Sequence, residues 1–170
     1  MERAYFLKTE RLIFSLWERT DLPLATLLWG DADVTRYICA AGRFTPEDIA
    51  ARLETEVRNG ETMGLQYWPV FHAETGELVG CCGLRPRAED EYELGFHLRP
   101  AYWRQGYAVE AARAAISHAF SALGAKKLFA GHNPKNTASA GVLGKLGFQS
   151  IGEEFYAPTG LYHPSYELLP

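Results

Sequence analysis

The chain has 170 residues, enough for one domain with a real core. Its 47% hydrophobic and 22% charged residues exclude the disordered and collagen-like classes. A formal net charge of -4 argues against nucleic acid as a partner, and the lack of any long apolar run or basic leader predicts a cytoplasmic protein with no membrane partner.

Arg11 to Trp17 is apolar and partly alternating, which predicts a strand. Thr20, Asp21 and Pro23 then open a helical stretch through Leu24, Leu27 and Leu28, and Asp31 to Cys39 predicts a second short helix. Thr45-Pro46-Glu47-Asp48 is a strong helix start: a capping hydroxyl, a proline at the first helical position, and acids where the macrodipole favours them. Ile49, Leu53 and Val57 give that helix an apolar stripe, and Asn59-Gly60 is its expected end.

Leu65 to Ala73, Glu77 to Arg85 and Glu91 to Arg99 predict an antiparallel meander, its first pair joined by Glu74-Thr75-Gly76. Cys81 and Cys82 fall on its second strand. With Cys39 they make three cysteines without metal-ligand spacing, expected as buried thiols rather than a disulfide framework or a metal site. Ala108 to Leu123 is helical, with Ala108, Ala112, Ala115, Ala119 and Leu123 on one face and Gly124 as the stop. A strand over Lys127 to Gly131, a helix over Asn136 to Leu146, and strands over Phe148 to Tyr156 and Leu161 to Leu168 complete a mixed α/β pattern. No linker or repeat divides it, so one domain over residues 1–170 is expected.

The stretch PAYWRQGYAVEA, from Pro100 to Ala111, sits where strand gives way to helix. A helix start leaves unpaired N–H groups and a partial positive charge. Gly106 keeps that turn bare, Ala108 keeps it small, and Arg99 and Arg104 add formal charge, which together suit a phosphate. The Walker pattern and the Gly-x-Gly-x-x-Gly turn are both absent. Charge is also uneven: residues 47–98 hold eleven acidic and four basic side chains, residues 99–147 one acidic and seven basic. The second segment has the sign for an anionic ligand, the first for a cationic one.

ELGFHLRPAYWRQGYAVEAARAAI, followed after a short strand by NPKNTASAGVLGKLGF, resembles the GCN5-related N-acetyltransferase (GNAT) superfamily. Within it the chain is most similar to the branch of ribosomal-protein alanine N-acetyltransferases, whose opening strand and helix TERLIFSLWERTDL resembles. The resemblance implies a central, mostly antiparallel sheet of six to seven strands with splayed middle strands and flanking helices. It implies acetyl-CoA as cosubstrate and transfer to a primary amine, a protein N-terminus or a small molecule, by direct attack in a ternary complex. The N–H groups of Arg104, Gln105, Gly106, Tyr107, Ala108 and Val109 are implied to hold the coenzyme A pyrophosphate. Asn136 and Ser139 are implied along the pantetheine arm, and the backbone of Phe96, His97 and Leu98 beside the thioester. Trp103 stands where the superfamily often has Gln or Arg, a departure this branch shares. A homodimer is common among similar proteins.

Attack on a thioester needs a neutral amine and a proton for the leaving thiolate. Alternation puts Tyr92, Leu94, Phe96 and Leu98 on one face of their strand and Glu91, Glu93, Gly95, His97 and Arg99 on the other. Glu93 is the first candidate for general base and His97 the second. Gly95 fits a bulge or a close approach. Leu143 stands where many superfamily members carry a proton-donating tyrosine, so Ser139 is carried as the acid. The acceptor pocket is expected from Trp29 to Phe44 and Tyr156 to Tyr162, with Trp29, Tyr37, Phe44, Tyr156, Tyr162, Asp31 and Asp33 suited to a cationic amine. The missing tyrosine also leaves open an alternative, a non-catalytic acyl-CoA sensor.

Overall fold

A computed structural model describes residues 3–170. In chain order its elements are β1 (Leu7–Lys8), β2 (Leu12–Phe14), α1 (Leu22–Trp29), α2 (Ala32–Thr35), α3 (Pro46–Met63), β3 (Tyr67–His72), β4 (Leu78–Ala88) and β5 (Glu91–Leu98). A single 3₁₀ turn (Pro100–Tyr102) then leads into α4 (Tyr107–Ser121), β6 (Lys127–Gly131), α5 (Thr137–Lys145), β7 (Gln149–Tyr156) and β8 (Leu161–Leu168).

The strands form one sheet in the order β1-β2-β3-β4-β5-β6-β8-β7. Every pairing is antiparallel except β5 with β6. The sheet has eight strands, not six to seven, because Leu7 and Lys8 fold back on Phe14 and Ile13 as a short arm. Thr9 closes that turn through its N–H and hydroxyl to the Leu12 carbonyl.

One core lies where α4 and α5 cover the sheet, around Leu12, Phe14, Trp68, Leu84, Leu94 and Leu128. Ala111, Ala112, Ala115 and Ala119 are all buried there, so the alanine face of α4 lets its axis approach closely. On the other side α1 and α3 cover Trp17, Tyr67, Phe71, Leu78 and Cys81. Full burial of one Leu or Phe side chain contributes about 1.5–3 kcal/mol.

Thr45 and Asp48 form the expected reciprocal cap of α3. The helix runs past Asn59-Gly60 and ends at Met63, because Gly64 rather than Gly60 adopts the left-handed conformation, with φ 69°. Gly60 instead makes room for a neighbour: a Cβ there would meet the Gln66 amide nitrogen at 2.6 Å. Asp21 precedes α1 without capping it, since its carboxylate is taken by Arg3 and the Glu18 N–H. The α2 helix stops at Thr35, short of Cys39, so that thiol lies partly exposed in the following turn, while Cys81 and Cys82 are buried as expected.

Candidate active site

Along its whole length β5 pairs with β4, from Glu91 opposite Ala88 to Leu98 opposite Gly80. With β6 it pairs only over Glu91, Glu93 and the residue between them, opposite Lys127 to Phe129. Beyond that fork β6 stays with β8, while β5 stays with β4. The separation opens a cleft of about 990 Å³, with Leu94 to Leu98 on one wall and Phe129 to Asn133 on the other. Backbone groups on these facing edges lack a strand partner, which suits a ligand carrying amides of its own.

The cleft runs to the start of α4. There the N–H groups of Arg104 to Val109 donate to no other backbone carbonyl among the described residues, and the first helical bond is Glu110 to Gly106. Gly106 has φ 80° and Arg104 φ 60°, two left-handed residues that fold the loop back over the helix end. The loop is pinned from below. Arg11 donates to the Gln105 carbonyl at 3.0 Å and to Glu110 at 2.7 Å, and its guanidinium lies 4.0 Å from the Tyr107 ring centre. Burial works against charge on Glu110, but hydrogen bonds from Thr9 and Arg11 outweigh it and hold the carboxyl below its usual range. Sequence reasoning missed this support, which joins residues about a hundred positions apart.

Of the predicted pyrophosphate residues, Arg104, Gly106, Tyr107, Ala108 and Val109 line the cleft. Gln105 does not: its side chain donates to the Ala101 carbonyl at 2.9 Å. Arg99 is turned away and donates to the Leu78 carbonyl. Asn136 caps α5 by accepting from the Ser139 N–H at 3.2 Å, and both residues line the cleft. Leu143 is 1% exposed and belongs to the core, so it supplies no proton at this position.

Alternation along β5 is as read. Leu94 is buried in the α4 core, while His97 points to the opposite layer, where its Nδ1 accepts the Trp29 indole N–H at 3.1 Å. That bond places the ring proton on Nε2. Burial, helped by Arg52 and Arg85, pushes the His97 pKa well below its ordinary value, so the ring is neutral. Cys81 Sγ lies 3.6 Å from the same Nδ1, and burial pushes that thiol up to about 12. Cys81 is therefore no thiolate nucleophile. Gly95 marks a close approach rather than a bulge: Tyr67, Gly83 and Gly95 stand in register across β3, β4 and β5, and a Cβ on Gly95 would overlap the Tyr67 ring.

Glu93 is the last β5 residue paired with β6, so its side chain stands at the fork. Burial pushes its carboxyl above the ordinary value against the opposing pull of Arg87 and Arg85. Cross-strand from it is Arg85, whose Nη2 donates to Glu56 at 2.8 Å. Glu56 is fully buried on α3 and also accepts from Arg52 Nε at 2.8 Å and the Tyr67 N–H at 2.9 Å. Arg87 pairs with Glu154 of β7 and lies 3.4 Å from the Phe129 ring centre.

Sequence reading did not single out Tyr67, Arg52, Glu56 or Arg85. The available signal was positional: Glu56 lies three residues after Leu53 and seven after Ile49, on the apolar stripe of α3. Of the predicted acceptor residues, Asp33, Tyr37 and Tyr156 line the cleft. Trp29 is fully buried, Phe44 packs against the α1/α3 core, Asp31 caps α2, and Tyr162 is exposed against Phe155. Among the described residues no cluster of three or more His, Cys, Asp or Glu side chains could hold a metal ion, and no helix is long and apolar enough to cross a membrane.

Comparison with known proteins bears on this cleft. The profile of the Acetyltransferase (GNAT) domain matches residues 11–149. The uncharacterized N-acetyltransferase YoaA of Bacillus subtilis is 30% identical over 149 residues, covering 86% of this chain and 84% of that protein. The crystal structure of a GNAT-family acetyltransferase from Bacillus anthracis superposes with a TM-score of 0.81 at 29% identity, over 96% of this chain and 98% of that one. The ribosomal-protein-S5-alanine acetyltransferase of Vibrio fischeri shares the fold with a TM-score of 0.76 at 21% identity, over 98% and 96% of the two chains.

Proposed function

The chain belongs to the GNAT acetyltransferase family and is an N-acetyltransferase; from that premise we propose that it acetylates a primary amine by direct attack in a ternary complex, with Glu93 as the general base. The observation that carries this reading is the position of Glu93, a half-buried carboxylate at the fork of β5 and β6 and at the mouth of the cleft.

Acetyl-CoA, when bound, supplies a thioester activated by a readily leaving thiol. The bare N–H groups from Arg104 to Val109 fit its diphosphate, because they converge on a helix N-terminus without side chains in the way. Gly106 keeps that turn open: the nearest atom to a Cβ there is Arg11 Nη2 at 3.4 Å, so its role is conformational, not steric. The unpaired edge of Phe96 to Leu98 and the side chains of Asn136 and Ser139 fit the amide-bearing arm.

Glu93 takes a proton from the acceptor ammonium on its carboxylate. Burial raises its pKa, which makes the carboxylate a better base than a solvated one, and Arg87 and Arg85 favour its ionised form. His97 is a positioning residue in this reading, since its acceptor nitrogen already holds Trp29. Ser139 gives a proton toward the departing thiol, the role Leu143 cannot fill. The acceptor is a protein N-terminus or a small amine.

A thiol-release assay with acetyl-CoA against a panel of amines and N-terminal peptides tests this. Amine-dependent release should fall at least 100-fold in Glu93→Gln while coenzyme A still binds, in line with the effect of removing a general base. Release unchanged in Glu93→Gln removes that residue from the mechanism. Ser139→Ala should lower turnover without altering the acidic limb of the pH profile.

A further inference from the structure

At the acceptor end of the cleft two guanidiniums share one buried carboxylate. Arg52 and Arg85 both bind Glu56, and both use the same oxygen, Oε2. The other oxygen is occupied by the Tyr67 N–H. One carboxylate thus serves two guanidiniums. Both guanidiniums also lie against the Tyr67 ring, 5.4 Å and 4.4 Å from its centre, which fixes them between the aromatic face and Glu56.

Their hydrogen bonding is incomplete as well. Arg52 Nη2 and Arg85 Nε are buried N–H donors without an acceptor among the described residues. Buried donors are normally satisfied, so these two N–H groups favour an added acceptor such as a carboxylate. Arg85 and Arg52 both line the cleft, and the Arg85 side chain keeps 31% exposure. Glu93 and Arg85 attract each other through space, without contact. Glu93 stands directly across the ladder from Arg85, yet forms no ion pair with it or with any other described residue.

We propose that the acceptor is a small amino acid or amino-acid derivative whose carboxylate, carried beside its primary amine, is bound by Arg85 and Arg52 while the amine faces Glu93. This rests on the reading of Glu93 as the base. The geometry follows from the strand register: residues directly opposed on neighbouring strands have Cβ atoms about 4.5–5.5 Å apart. Two groups that leave adjacent strands side by side suit an amine and a carboxylate separated by one or two carbons. A planar guanidinium binds a carboxylate through paired N–H donors, which also fixes the direction of the neighbouring amine. The two cations disfavour the ammonium form beside them, so the same site that selects the substrate helps to present it neutral.

The test uses thiol release from acetyl-CoA with matched triplets: each of the common L-amino acids, its carboxamide, and the amine lacking the carboxyl group, together with N-terminal peptides. For at least one triplet kcat/KM should favour the acid by tenfold or more, although the carboxamide has the more easily deprotonated amine. Arg85→Met should bring that acid-to-carboxamide ratio to about one, mainly through KM, and Arg85→Lys should restore part of it. The variant leaves Arg52 and Glu56 as a matched pair, and its thermal midpoint checks that it is folded. If carboxamides or peptides are turned over as well as the acids, or if Arg85→Met leaves the ratio unchanged, the carboxylate site is refuted while the role of Glu93 stands. Thiol release with no amine at all, in a protein that binds coenzyme A, overturns both.

Discussion

Glu56 offers the most demanding test of how this fold is held together. Its carboxylate is fully buried and accepts three hydrogen bonds, two from guanidiniums at 2.8 Å and one from a backbone N–H at 2.9 Å. Glu56→Gln preserves the volume and the acceptor for Tyr67, but removes the only negative charge bonded to Arg52 and Arg85 among the described residues. Breaking a buried ion pair from one side costs about 3–5 kcal/mol. For a domain of this size each kcal/mol moves Tm by about 2–4 °C, so Tm should fall by about 6–20 °C. Urea unfolding at fixed ionic strength measures the loss directly. The comparison is Glu154→Gln, which breaks the Arg87 pair where the carboxylate side chain is 52% exposed and where about 1 kcal/mol or less is expected. Replacing the whole cluster, with Glu56→Leu, Arg52→Met and Arg85→Met together, should recover much of the loss because no charge is then left unmatched. A loss in Glu56→Gln no larger than that in Glu154→Gln would refute the claim that Glu56 is a buried partner of both guanidiniums.

Further outcomes follow from the titrating groups and the loop. Activity should fall on the acidic side with a midpoint above the ordinary glutamate value, because burial raises the Glu93 carboxyl, and this limb should be missing from any residual activity of Glu93→Gln. The sign for stability is opposite: a carboxyl raised in the folded state loses stability as pH rises through its folded pKa, so Glu93→Gln should be more stable than the parent near neutrality and not at acidic pH, by urea unfolding. His97 is held neutral by burial and its pKa is depressed, so its contribution is present above about 6.5 and lost below it, with a limiting slope of about 1.4 kcal/mol per pH unit. His97→Gln should flatten that part of the stability profile. Gly106→Ala forces a side chain into φ 80°, which should cost about 1–2 kcal/mol and weaken coenzyme A binding several-fold by calorimetry, even though no atom lies close enough to clash.

How much of this was legible in the sequence depended on the distance over which the signal travels. Thr45-Pro46-Glu47-Asp48 states a helix start within four residues, and the structure forms it. Lys127 to Gly131 and Leu161 to Leu168 appear with the same bounds because alternation and flanking turns are equally local. The end of α3 was misplaced because two glycines four residues apart carry the same local message. Only the chain's return toward Gln66 decides that Gly60 stays helical and Gly64 turns. The two-residue β1 is too short for any period to register. Glu93 was legible as a candidate because it sits beside a recognisable motif. Arg52, Glu56, Tyr67 and Arg85 were not, since the cluster is assembled from a helix and two strands, and the place of Glu56 on the apolar stripe of α3 does not name its partners. The expected cationic-amine pocket of aromatics and acids likewise took its sign from neighbouring residues in sequence, whereas the folded cleft also gathers arginines from α3 and β4.

The two margins of the sheet carry a consequence of a different kind. One margin is β1, only two residues long, and the other is β7, whose residues are all exposed. An open strand margin of eight residues containing Ile151 and Phe155 would ordinarily recruit another chain. Here Gly152, at φ 114°, interrupts the register beside Ser150, and Glu153 and Glu154 follow at once. A visiting strand meets a kinked template with a carboxylate on each face near its centre, which disfavours edge-to-edge pairing there.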